Sequence, residues 1–95
     1  MVKFRKQQII DAAKSIKINL DVVPFKLLKD GIKVELEHGT IHKETNITNN
    51  DLVLTLKIVM AHIFEGIDYY DELEKMERVL EKRHKGDKKL KLFLK

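Results

Sequence analysis

The chain has 95 residues, of which 43% are hydrophobic and 36% charged, with no cysteine and a formal net charge of +4. That is enough for one domain, 1–95, to bury a core unaided; lacking thiols it can form neither a disulfide framework nor a thiolate zinc site, so any metal would need His, Asp or Glu ligands. No apolar run approaches the roughly 20 residues of a membrane span, and the basic start lacks the apolar stretch of a signal peptide. The expectation is therefore a soluble, intracellular protein without a membrane partner.

Charge is segregated along the chain. Residues 1–33 hold eight Lys/Arg against three acids, residues 34–77 three against ten, and residues 78–95 eight against two, which leaves two basic ends around an acidic middle. Such a pattern suits either a surface for nucleic acid or another polyanion, or basic ends that fold against the middle.

The elements follow in order. Ile9, Ala13 and Ile16 recur at helical spacing and predict an amphipathic helix over 6–18. Pro24, the only proline, suits the first position of a second helix over 24–38, because its missing N–H would have no helical partner there. Phe25, Leu28, Ile32 and Leu36 form its apolar row, widened by Leu27 and Val34. Gly31 interrupts this row at a cost of about 1 kcal/mol relative to alanine, so the helix bends there or something packs close against it. Gly39 reads as a left-handed stop.

After a polar loop, Thr48 with Asp51 three residues on forms a capping box, and Ile47 with Leu52 takes the hydrophobic-staple positions. This predicts a third helix over 49–65 whose residues are apolar on nearly every side, interrupted only by Thr55, Lys57, His62 and Glu65. Such a helix belongs at the centre of the fold. Gly66 ends it, and Asp68 with Asp71 can cap a fourth helix over 68–84. Its buried row is Tyr69, Leu73, Met76 and Leu80, and Asp71–Lys75, Glu74–Arg78 and Glu81–Lys85 are possible i,i+4 ion pairs. The segment 85–95 and the VKF near the start alternate with period two, as basic arms or short edge strands. The fold class is thus all-α, a compact four-helix bundle around the helix at 49–65. No internal repeat is present.

Four blocks between residues 34 and 77 carry a resemblance: VELEHG, TN-I-TN-N-D, T-x-K-I-x-x-AH and DYY-x-x-L-x-x-ME. Together they resemble a small family of unknown function found in bacteria, phages and large DNA viruses, sometimes as a module of longer proteins. Where that family continues after EHG with an Asp-Pro-like turn, this chain has Ile41, His42 and Lys43, and where it commonly has proline before DYY, this chain has Ile67. Both departures fall in segments that read as loops. The resemblance implies a fold boundary and a viral or phage connection, and no reaction.

Chemistry-bearing residues are few. Glu35 and His38 lie three apart on the second helix, and His62 and Glu65 repeat that spacing in reverse on the third. Glu-x-x-His pairs on facing helices build carboxylate-bridged metal sites in bundles. Glu35, His38, His62, Glu65 and Asp68 can thus converge on a divalent metal, or His38 and His62 can act as an acid/base pair. The alternative is structural: His38 favours a helix C-terminus, and His62 bonds a loop carbonyl or Glu35 at the edge of the core. None of Ser15, Thr40, Thr45, Thr48, Thr55, Tyr69 and Tyr70 sits in a nucleophile elbow or triad spacing. Thr45, Asn46, Asn49 and Asn50 suit either an anion or a loop satisfying its own backbone. Of Tyr69 and Tyr70, one should be core and the other half-exposed at the histidine-bearing end. At the basic end, Lys82, Arg83, Lys85, Lys88, Lys89 and Lys91 can contact phosphates by charge alone.

These readings point to a small basic non-enzymatic protein without a cofactor, a structural or interaction component, in a virus or phage among other settings. Its partners would be nucleic acid, other structural proteins or a second copy through Leu54, Ala61 and Phe64. The alternative is a metal-dependent or acid/base enzyme built on His38, His62 and the neighbouring carboxylates.

Overall fold

A computed structural model describes the backbone of residues 3–41, 44, 46 and 49–86, and the side chains of these residues apart from 38–41. Four helices are present among them: α1 Lys6–Ser15, α2 Phe25–Ile41, α3 Leu52–Ile63 and α4 Tyr69–His84. The described residues include no strand, and the molecule is an all-α bundle. The VKF segment forms no edge strand over its described residues, Lys3 and Phe4. The arm beyond residue 86 lies outside the described residues. None of the described helices is long and apolar enough to cross a membrane.

α1 stops three residues earlier than its period predicts. The Lys17 backbone is left-handed (φ 64), and the Lys17 and Ile18 N–H groups donate to the carbonyls of Lys14 and Ala13, both at 3.0 Å. This double closure is the Schellman arrangement, sealed by contact between buried apolar residues on either side. Here Ile18 and Ala13, both in the core, supply that contact. At the other end the Gln8 side chain accepts from the Arg5 N–H at 2.8 Å, one half of a capping box.

Pro24 stands immediately before α2, its carbonyl accepting from the Leu27 N–H at 3.0 Å. The helix does not stop at Gly39 but runs through it to Ile41. Glycine permits the left-handed stop without requiring it, and held in helical geometry it costs only about 1 kcal/mol against alanine. Gly31 resolves in favour of close packing. A β-carbon there would lie 2.7 Å from Val59 Cγ1 and 2.8 Å from Tyr70 Cε2, so α3 and α4 both press on α2 at this point.

α3 begins at Leu52, with Asp51 as its cap in place of Thr48. Asn49 and Asn50 are both left-handed (φ 48 and 63), which delays the helix, and the Asp51 carboxylate then accepts from the Leu54 N–H at 2.9 Å. Asparagine tolerates this backbone because its short amide bonds locally. Asn46 likewise accepts from the Asn49 N–H at 3.0 Å, a loop satisfying its own backbone. Ile47 and Thr48 lie outside the described residues. α3 ends at Ile63, two residues short of expectation, because Glu65 and Gly66 donate to carbonyls three residues back and tighten the final turn.

The centre is a pair of helices, not α3 alone. α2 and α3 share the most extensive interface, each also touches α1 and α4, and α1 and α4 make no contact with one another. Leu28, Leu56 and Val59 are fully buried between them, each contributing about 1.5–3 kcal/mol. Thr55, read as an interruption, is fully buried as well. Its hydroxyl donates to the Asp51 carbonyl at 2.7 Å, which removes the cost of burying it. Contrary to an all-round apolar burial, α3 leaves Leu54, Lys57, Ala61 and Phe64 exposed on one side.

α4 starts one residue after its expected first position. Asp68 stands at its N-cap with φ −93 and ψ 13, and its side chain makes no capping bond, because this near-helical backbone is not the extended one from which a cap reaches forward. The Glu74–Arg78 pair forms, Lys75 turns to Glu72 at 3.2 Å instead of Asp71, and Glu81–Lys85 is not among the ion pairs of the described residues. Of the expected buried row, Tyr69 and Leu73 are half-buried, while Met76 and Leu80 are exposed. The body of the protein ends before the helix does.

Candidate functional site

Glu35 lies one helical turn beyond Gly31, so the carboxylate and the bare glycine share the face of α2 that meets α4. Tyr70 fills the space over Gly31 and donates its hydroxyl to Glu35 Oε2 at 3.5 Å, a long bond. Tyr69, half-buried, stacks on His62 with centroids 4.2 Å apart and planes 9° from parallel. The two tyrosines meet edge to face at 5.0 Å, and His62 meets Tyr70 edge-on at 6.1 Å. Such aromatic pairs add about 0.5–1.5 kcal/mol each beyond the area they bury. The division between a core tyrosine and a half-exposed one at the histidine-bearing end is as expected.

Electrostatics decide what this cluster can do. Burial, followed by the Glu35 charge, the neighbouring Tyr69 and the bond to Glu35, pushes the Tyr70 phenol well above its ordinary value. Burial, with the charges of Glu65, Glu35 and Glu77, raises Tyr69 too. Both shifts favour the protonated phenol, which serves as a hydrogen-bonding group and a packing surface at this junction. His62 Nδ1 is buried without a hydrogen-bond partner among the described residues, 3.9 Å from Glu65 Oε2. The arrangement is a clasp between the end of α3, the start of α4 and the middle of α2.

The structure thus brings Glu35 and His62 to one junction, with the two tyrosines between them, and places Glu65 beside His62. Asp68 is exposed at the α4 N-cap. The His38 side chain lies outside the described residues. Among the described residues no group of three His, Asp or Glu side chains is placed to hold a metal ion. Of the basic residues, Lys82, Arg83 and Lys85 are exposed at the end of α4, and Lys88, Lys89 and Lys91 lie outside the described residues.

A second feature lies on the opposite side of the α3 end. A groove of about 620 Å³ runs between the α1–α2 connection and α3. Ile16, Val22, Met60, Ala61 and Phe64 give it apolar walls, and its charged lining residues are Lys17 and Lys57. Phe64 is 83% exposed and Val22 64%. The apolar excess at Ala61 and Phe64 is visible in the helical period of α3. Val22 was missed, although Val22–Val23 in a tight turn is a signal: only one of two adjacent side chains there can point inward, and Val23 is the buried one.

A family model described as protein of unknown function, DUF5661, matches residues 9–79. The chain belongs to the DUF5661 family. No curated protein and no solved structure matches it. The DUF5661 span takes in the aromatic clasp and the apolar groove, whereas Lys82, Arg83 and Lys85 lie beyond it.

Proposed function

We propose that this DUF5661 protein is a non-enzymatic association module whose partner is another protein, one that presents apolar side chains flanked by acids. The exposure of Phe64 and Val22 along one apolar groove is the observation that supports this reading. Single exposed apolar residues are ordinary, but a contiguous apolar patch beside charges marks an interaction surface. Lys17 and Lys57 are the charged residues lining it, so the complementary segment is acidic. Basic chain ends add long-range attraction toward such a partner. An intracellular or virion-associated structural role fits a module of this kind.

The test is a titration of isotope-labelled protein with two designed amphipathic helical peptides, identical in their leucine face and flanked by Glu in one and by Lys in the other. The Glu peptide should shift the amides of Val22, Lys57, Ala61 and Phe64, and Phe64→Ser should abolish the shifts. Equal shifts with both peptides, or none, remove the reading.

The exposed cluster of Lys82, Arg83 and Lys85 favours a second reading, in which the basic end contacts nucleic acid. Binding to duplex DNA that weakens steeply with salt and ignores Phe64→Ser would carry it, through counterion release. No binding at low salt, or binding indifferent to salt, would end it.

A further inference from the structure

Along α4 the charge changes sign at mid-length. Its first half carries Asp71, Glu72, Glu74 and Glu77 against Lys75, and its second half carries Arg78, Lys82 and Arg83, followed by Lys85, against Glu81. Down the same helix runs an apolar row, Tyr69, Leu73, Met76 and Leu80, spaced four, three and four residues apart as in a two-helix seam. Tyr69 and Leu73 pack on the core. Met76 is 52% exposed, the neighbouring Val79 53% and Leu80 39%. The seam therefore continues past the point where the body of the protein stops covering it.

We propose that this uncovered half-seam is a self-recognition surface, on which α4 of one copy pairs antiparallel with α4 of a second copy across Met76, Val79 and Leu80. A two-fold axis near residue 78 sets Met76 of each copy against Leu80 of the other. The acidic half of each helix then lies beside the basic half of its partner, twice per dimer, because a two-fold interface repeats every contact. A parallel pairing would set acid against acid and base against base, which is unfavourable. Arg83 continues the seam at its next position, and its methylene stem can cover the partner's Leu73 while the guanidinium stays in water.

The surroundings of α4 agree with that placement. The groove between α2 and α4, along which the partner's basic half would run, is lined by Glu37, Asp71, Glu74 and Glu77, with Lys26 and Lys33 opposing them. Lys26 pairs with Asp30 at 2.7 Å and Glu74 with Arg78, yet acidic side chains outnumber basic ones along the groove, so it presents net negative charge to the incoming lysines and arginine. This surface is separate from the groove beside Phe64, and the self-pairing stands or falls independently of the proposed function.

Sedimentation equilibrium of the full chain tests it. The expected result is a reversible monomer–dimer equilibrium that weakens with salt. Met76→Glu or Leu80→Glu should raise the dimer dissociation constant by about tenfold or more, roughly 1.4 kcal/mol per tenfold, while the helical circular dichroism is unchanged because both residues are exposed. Orientation is read by cross-linking, which the absence of native cysteine makes clean. A mixture of Glu72→Cys and Arg83→Cys proteins should form the mixed disulfide in preference to either like pair. A monomer at every concentration, a dimer untouched by Met76→Glu and Leu80→Glu, or a preference for like-with-like cross-links overturns the proposal.

Discussion

Tyr70 and Phe64 are six positions apart at the same junction, and both are large aromatics, yet Tyr70 is 6% exposed and Phe64 83%. The difference lies in what faces each of them. Tyr70 lands on Gly31, where α2 offers no side chain and the ring can approach the backbone. Phe64 follows the last residue of α3, beside a groove that no other described element fills. One junction thus holds the bundle together on its inner side and leaves apolar surface exposed on its outer side. Aromatic character alone says nothing about which role a residue takes.

The contrast can be broken most severely at Tyr70. Tyr70→Ala removes the ring from the meeting point of α2, α3 and α4 and should cost about 3–5 kcal/mol, read as a lower midpoint in urea denaturation. Next comes Gly31→Ala. Propensity favours alanine in a helix by about 1 kcal/mol, but the added carbon would sit within 3 Å of Val59 and Tyr70, and overpacking of that kind costs about 1–3 kcal/mol. The expected outcome is net destabilisation by the same measurement, opposite in sign to the propensity.

A smaller effect comes from pH. The native fold holds Tyr70 protonated, its phenol raised by burial and by Glu35, while in the unfolded chain it ionises near pH 10. Above that pH the unfolded state has lost a proton that the native state keeps, so stability falls as pH rises. The slope is about 1.4 kcal/mol per pH unit for one such group. Tyr70→Phe keeps the ring and should flatten that slope in alkaline denaturation. Smallest of all on stability is Phe64→Ser, expected within about 0.5 kcal/mol because the ring is exposed. Its effect should appear only in binding of the acidic peptide, and a large loss of stability would undo the contrast with Tyr70.

Much of the bundle was legible from periodicity and punctuation. The four helices answer to the 3.6-residue spacing of Ile9 and Ala13, of Leu28, Ile32 and Leu36, of Leu56, Val59 and Ile63, and of Tyr69, Leu73, Met76 and Leu80. Helix ends were less legible, for a physical reason. Lys17 takes the left-handed position that glycine usually marks, because two backbone bonds and the Ile18–Ala13 contact over-determine it, whereas Gly39, which looks like a stop, is crossed. Asn49 and Asn50 shift the start of α3 in the same way. At the candidate site, the residue spacing drew attention to Glu35, His62 and Glu65, and the fold sets Glu35 and His62 on either side of the tyrosine pair with Glu65 beside His62. The two tyrosines were legible as one core and one half-exposed residue at the histidine-bearing end, but not as the link between Glu35 and His62, because that link depends on how α2, α3 and α4 pack.

By itself the sequence determined what local interactions govern: helical class, the four helices of the described residues, the alternation of basic and acidic segments, and a helix start at Pro24, which the structure places one residue before α2. Spacings of three and four residues act within one turn and can be read from the chain alone. Only the tertiary structure decided which side of each apolar row is covered. Met76 and Leu80 continue the row begun by Tyr69 and Leu73 and differ from them in no sequence feature, yet they are left bare because α2 and α3 cover only the first half of α4. Burial depends on where neighbouring elements end, and that is a property of the assembled bundle.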